Sequence, residues 1–303
     1  MLFEDMPQKY LNPSVPWEEI EQNLNTLAPV EGGNTSTQRG IIAIAEGRKI
    51  FVKIGVDEQT KNWASKEIDA YTFLVEQGYA SIPKLLSVNE DHTGFAIDAL
   101  LSENSWDWSN TWNQERLDAT LAAMDVLATI KPDPKYTALL KPVIIDADNG
   151  WVKLSASLEG QAYLASKLRT VSRSEIVDHL HEYTERASHY ILKHDVLIHG
   201  DVRADNCAWN KNTGEVKLVD WNWLELGDQR LDFSAFLVHV HQGGFDVLAD
   251  YADRLDADAL HWLAGFWFEC ASRPIWPGGP EKLRDTQLLS GLTALSLAKA
   301  IER

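Results

Sequence analysis

Cysteine is scarce in this chain of 303 residues, with Cys207 and Cys270 the only two. They build no disulfide framework and follow no metal-ligand spacing, which fits a reducing compartment. Long apolar runs are missing too. No stretch approaches the ~18–20 continuous apolar residues of a membrane span. The start of the chain, from Met1 to Tyr10, carries acids where a signal peptide needs basic residues. The expectation is a soluble cytoplasmic protein with no membrane partner. Positive charge is the third shortage. Lys and Arg number 28 against 45 Asp and Glu, a net charge of −17. That balance excludes broad electrostatic binding to nucleic acid or anionic lipid. Repeats and low-complexity tracts are absent, so a solenoid or a disordered chain is not indicated.

What is present is an ordinary globular composition, 45% apolar and 24% charged. The length suits one large domain or two modest ones. Ile41–Ala45, a turn at Glu46–Lys49, and the β-branched run to Ile54 predict a hairpin. Apolar positions drift around one face over residues 60–77, a helix that Gly78 should stop. Gly94–Leu101 reads as another strand. Beyond residue 102 the period turns helical, over 115–130, 174–193 (with Ser174 as a cap), Leu260–Cys270 and Leu288–Ile301. A β interlude pairs Ala208-Trp209 with Val216–Val219 across a turn at Asn212–Gly214. The expected organisation is α+β. A small β-rich lobe over 1–102 with one key helix joins a larger, mainly helical lobe over 103–303 near Leu101–Asn104.

The densest chemistry lies in Ile198-His199-Gly200-Asp201-Val202-Arg203-Ala204-Asp205-Asn206. Asp220 follows at the end of the apolar strand Lys217-Leu218-Val219. A loop carboxylate, a loop amide and a strand-end carboxylate can surround a divalent cation and a hydroxyl nucleophile. Mg²⁺ prefers such oxygen ligands and usually shares them with phosphates.

The order His199-Gly200-Asp201 to Asn206, then Val219-Asp220-Trp221, then Gly227-Asp228 to Leu231-Asp232, resembles the aminoglycoside phosphotransferase and choline kinase-like family. That family belongs to the protein-kinase-like superfamily. The small lobe is similar as well. Val52-Lys53-Ile54 looks like the kinase strand lysine, Glu67–Gly78 like the glutamate-led helix, and Ile82–Leu86 like the strand entry after it. The matches keep family order from about residue 31 to residue 236.

The resemblance implies a bilobal kinase-like fold and transfer of the ATP γ-phosphate to a small-molecule hydroxyl. The acceptor would be an aminoglycoside or a related amino-sugar or amino-alcohol. It also implies roles. Asp201 would take the proton of the attacking hydroxyl, and His199 would brace the loop. Asn206 and Asp220 would hold Mg²⁺. Lys53 would meet the ATP phosphates and pair with Glu67. Ala99 and Leu100, at the end of their strand, would border the nucleotide. No Gly-x-Gly-x-x-Gly is present; Gly32–Thr37 stands in its place, so Thr35, Ser36 and Thr37 become phosphate contacts, or an ordinary turn.

Several residues admit two readings. Lys66 or Asp69 could serve in place of Glu67. Arg203 could neutralise the transferring phosphoryl group, or pair with Asp205 or another carboxylate. Trp106, Trp108 and Trp112 after the lobe junction, and Trp221 and Trp223 beside Asp220, could form core or an aromatic wall. Cys207 reads as a small packing residue. Glu225, Asp228, Glu269 and Arg273 are candidate acceptor contacts. The alternative function is a non-catalytic kinase-like nucleotide-binding module. Such a decayed module should have lost one of Lys53, Asp201, Asn206 or Asp220, and all four stand. Protein phosphorylation ranks below both, because no Ala-Pro-Glu-like anchor follows Asp220. Charge does not choose the acceptor. Residues 1–102 carry 8 basic and 15 acidic side chains, and residues 103–303 carry 20 and 30. The acidic excess is therefore not concentrated where an acceptor would bind.

Overall fold

A computed structural model describes residues 15–30, 37–173, 175–276 and 279–303. The chain divides into two compact units. The first takes in the chain up to Trp108, then Asp118–Leu140 and Asp205–Leu224. The second comprises Ser109–Leu117, Lys141–Ala204 and Glu225–Arg303.

The first unit is built on five antiparallel strands: β1 (Ala28–Pro29), β2 (Gln38–Ala43), β3 (Lys49–Ile54), β4 (Leu85–Val88) and β5 (Gly94–Asp98). Their order across the sheet is β1-β2-β3-β5-β4. The expected hairpin is β2–β3, with Ile42 opposite Ile50 and Gly40 opposite Val52. Side chains alternate across a strand. Ile42, Ile50 and Val52 therefore share a face, which packs on Val15 and on Ile20 of the helix Trp17–Asn23. Each such fully buried side chain stabilises the unit by roughly 1.5–3 kcal/mol.

The helix Glu58–Glu76 opens on a capping box. Asp57 accepts from the Thr60 N–H at 2.8 Å, and the Thr60 hydroxyl accepts from the Asp57 N–H at 3.0 Å. Gly78, at φ +69°, ends it in the left-handed conformation that glycine adopts without strain. The β interlude is also in this unit. Cys207–Asn210 pairs antiparallel with Val216–Leu218, and Trp106–Asp107 adds a third, short strand.

The second unit is mostly helical, with a small ladder of Val196–Ile198 against Glu225–Gly227. Its core is a close crossing of the helices Gly150–Ser155 and Ala257–Ala271. A Cβ on Gly150 would sit 2.1 Å from the Gly265 carbonyl oxygen, and one on Gly265 would sit 2.3 Å from the Trp151 ring. Trp151 fills the crossing. Its indole N–H donates to the His261 carbonyl at 2.7 Å, and its ring stacks on Tyr183 at 4.7 Å.

The continuous helix expected over 174–193 is two pieces, Glu175–Asp178 and Leu180–Ser188. Asp228 and Arg230 override the helical period beyond it. The Tyr190 hydroxyl and the Lys193 N–H both donate to the Asp228 carboxylate, and Arg230 donates to the Ile191 carbonyl. Ser174, the expected cap, lies outside the described residues. No helix among the described residues is long and apolar enough to cross a membrane.

Candidate active site

Lys53 follows Val52 on β3, so its side chain leaves the opposite face of the sheet and runs under the helix Glu58–Glu76. It is 7% exposed. Its ammonium donates to Glu67 Oε2 at 2.6 Å and to Asp220 Oδ1 at 2.8 Å. Burial alone would lower the Lys53 pKa, but the two carboxylates more than offset it and hold the ammonium above its ordinary value. Burial pushes the Glu67 carboxyl up, and Lys53 draws it partly back. The Trp221 backbone N–H also donates to Glu67. Of the three neighbouring candidates Lys66, Glu67 and Asp69, Glu67 is the one that meets the strand lysine.

Asp220 ends the interlude strand in the left-handed region, at φ +67°. Asp adopts that conformation more readily than most non-glycine residues. The turn aims its carboxylate at Lys53, and the Asn222 side-chain amide donates to the same oxygen at 2.8 Å. Asn206 is buried on the facing strand at the same end of the hairpin, and its carbonyl accepts from the Val219 N–H at 3.0 Å. The two residues expected to hold a cation are thus joined through one backbone hydrogen bond between chain neighbours.

Among the described residues, no group of three or more His, Cys, Asp or Glu could cage a metal. The donors here are a carboxylate and an amide, which is the sparse, hard oxygen set that suits Mg²⁺ shared with phosphates. The Asn222 amide oxygen is buried and, among the described residues, has no hydrogen-bond partner. It belongs to the same side-chain amide that donates to Asp220. Its signal in the sequence is an amide two residues beyond the carboxylate expected to hold a cation.

In the second unit, the ladder Val196–Ile198 delivers the chain to His199. Gly200 turns at φ +78°. Asp232, near the start of the helix Gln229–Gln242, accepts from the Gly200 N–H at 2.9 Å and the His199 N–H at 3.3 Å. Burial pushes the Asp232 carboxyl up to about 6, against those two bonds. The His199 imidazole is fully buried, and its Nδ1 accepts from the Asp201 N–H at 3.3 Å. A ring nitrogen that accepts carries no proton, so the neutral ring holds its proton on Nε2. Arg203 Nε lies 3.3 Å from Asp201 Oδ2, both side chains 30% exposed. That places the Arg203 guanidinium within ion-pair distance of Asp201.

The remaining expectations are placed as follows. Thr35 and Ser36 lie outside the described residues, and Thr37 directly precedes β2. Ala99 and Leu100 border a cavity of about 760 Å³ in the first unit. The Leu100 carbonyl is taken by the Trp108 indole N–H at 2.8 Å. Trp221 is buried edge-on to Tyr79, whereas Trp223 is exposed. Trp112 packs on Phe236 and under the Arg116 guanidinium. Cys207 is a buried thiol 3.3 Å from the Thr120 hydroxyl. Two acceptor candidates are occupied structurally. Glu225 accepts from the Val143 and Ile144 N–H groups, and Asp228 anchors Tyr190, Lys193 and Arg230. Glu269 and Arg273 pair with each other.

Solved structures with the same fold include aminoglycoside phosphotransferases and a choline kinase. An aminoglycoside phosphotransferase from Alicyclobacillus acidocaldarius matches at 11% identity and TM-score 0.60, covering 98% of this chain and 97% of its own. A choline kinase from Streptococcus pneumoniae matches at 12% and 0.57, covering 92% and 98%. A spectinomycin phosphotransferase, solved with ADP and spectinomycin, matches at 13% and 0.58, covering 90% and 92%. No protein-family model and no curated protein matches the chain. At these identities the likeness shows the fold, and that fold is the protein-kinase-like α+β fold expected from the motifs.

Proposed function

We propose that this protein is an ATP- and Mg²⁺-dependent phosphotransferase acting on a hydroxyl of a small molecule, an aminoglycoside or a related amino-sugar or amino-alcohol. The observation that carries the reading is the buried contact of Lys53 with both Glu67 and Asp220. An isolated buried cation is costly. A lysine held between two carboxylates, one of them a strand-end residue 167 positions away, is what a phosphate-binding site of this fold uses. The fold neighbours include enzymes of this reaction class, one of them solved with ADP.

The roles follow from the chemistry. Lys53 binds the ATP phosphates, and Glu67 keeps its ammonium charged and aimed. Asn206 and Asp220, with Asn222 beside them, would hold Mg²⁺, which when bound neutralises phosphate charge. The substrate hydroxyl oxygen forms a bond to the γ-phosphorus as the bond from phosphorus to the β,γ-bridging oxygen breaks. Asp201 takes the hydroxyl proton. Arg203, beside the Asp201 carboxylate, offers its guanidinium to the phosphoryl oxygens. Asp232 and His199 fix the loop backbone. Positioning and charge neutralisation do most of the work in such a reaction, and no Ser or Cys nucleophile is required.

The test is ATP-dependent phosphate transfer to a panel of aminoglycosides, amino-sugars and amino-alcohols, read by mass spectrometry. Asp201→Asn should lower turnover by roughly 10²-fold or more, in the range for loss of a general base, while still binding nucleotide. Mg·ATP binding without transfer to any acceptor would favour the non-catalytic module instead. Absence of both would sink the reading.

A further inference from the structure

The cavity beside Ala99 and Leu100 is lined by none of Lys53, Glu67, Asn206 or Asp220. Its charge is opposite to that of the chain. Residues 1–102 hold only 8 basic side chains, yet Arg48, Lys49 and Lys84 all border it, joined by Lys217. Among the described residues, Asp98 and Glu103 are the carboxylates on its wall. Arg48 pairs with Asp98 at 2.7 Å and Lys49 with Glu103 at 3.1 Å. Both pairs are exposed, so each contributes little and exchanges readily for another anion. Lys217 gives one N–H to the Ala80 carbonyl at 2.6 Å and keeps two more donors. The four cations therefore exceed the carboxylates by two charges.

The walls between these charges are apolar and aromatic, with Tyr79, Ile82, Leu101 and Trp106 among them. They are also strapped together. The Ser81 carbonyl accepts from the Leu218 N–H at 2.8 Å, and the Lys84 carbonyl from the Asp98 N–H at 3.0 Å. A cavity held open by backbone bonds needs little ordering when a ligand enters.

We infer that this cavity, which shares Ala99 and Leu100 with the expected nucleotide border but lies apart from Lys53, Glu67, Asn206 and Asp220, is a second binding site for a small organic dianion with a planar apolar body, such as an aryl phosphate. The anionic end would meet Lys84 and Lys217, and the ring would lie against Tyr79 and Trp106. This inference does not depend on the phosphotransferase reading.

Calorimetric titration of 1-naphthyl phosphate into the full chain tests it, with 1-naphthol and inorganic phosphate as probes of each half of the ligand. The aryl phosphate should bind about tenfold or more tightly than either half alone. Lys84→Glu should weaken it several-fold, and Lys84→Glu with Lys217→Glu by more than tenfold, with the unfolding temperature of the single variant unchanged. Binding should persist in saturating Mg·ADP. Failure of 1-naphthyl phosphate to bind, equal binding by the Lys84→Glu variant, or displacement by Mg·ADP would each overturn the proposal. Displacement would assign the ligand to the nucleotide site instead.

Discussion

Tyr71 stands one turn beyond Glu67 on the same face of the helix Glu58–Glu76. Its hydroxyl is buried and, among the described residues, has no hydrogen-bond partner. An orphaned buried hydroxyl costs about 1–3 kcal/mol. Tyr71→Phe keeps the ring against Phe95 and should raise stability by about 1 kcal/mol in urea unfolding. Lys53→Met acts in the opposite sense. It leaves Glu67 and Asp220 without their shared cation, and removing one partner of a buried pair costs ~3–5 kcal/mol. Urea unfolding at pH 7 should show that loss, together with loss of nucleotide binding. Asp232 makes a pH prediction. Its carboxyl ionises near 6 in the fold against an ordinary 3.8, because burial disfavours the charge. The folded chain therefore keeps that proton longer than the unfolded chain, and stability falls as pH rises from about 4 to about 6. Asp232→Asn removes this titration. Its stability relative to the parent should climb by up to ~3 kcal/mol across that window, and a flat difference would contradict the assignment.

Elements differ in how openly the sequence declares them. The hairpin β2–β3 and the helix Glu58–Glu76 were legible because each presents one clean period and a stop or turn at its end. The helix Gln229–Gln242 has no such one-sided stripe, since Leu231, Phe233, Phe236, Leu237, Val238 and Val240 are all buried. The helix Trp17–Asn23 was missed for the opposite reason, with Ile20 its only buried residue. The site shows the same split. Lys53, Glu67, Asn206 and Asp220 were picked out by residue type and order, because ligand chemistry restricts type. The pairing of Arg203 with Asp201, and the orphaned oxygen of Asn222, depend on side-chain direction that spacing does not encode. One helix contact is a direct stability test. Gly265→Ala would drive a methyl into Trp151, where the space is 2.3 Å, and should cost about 3 kcal/mol or more in denaturant unfolding.

At the scale of the whole molecule, the charge of −17 opposes any anionic ligand. A nucleotide binds such a protein only where local cations outweigh that field. Lys53 is already shared by two carboxylates, so one ammonium does not offset the phosphates by itself. On the proposed function a divalent cation must supply the remaining positive charge, with Asp220 to hold it. Calorimetric titration of ADP, with Mg²⁺ and then with a chelator, measures this directly. Binding should be at least tenfold tighter with Mg²⁺ in the parent protein, with no such difference in Asp220→Asn. Equal ADP affinity with and without Mg²⁺ in the parent, or a Mg²⁺ effect undiminished in Asp220→Asn, would contradict it.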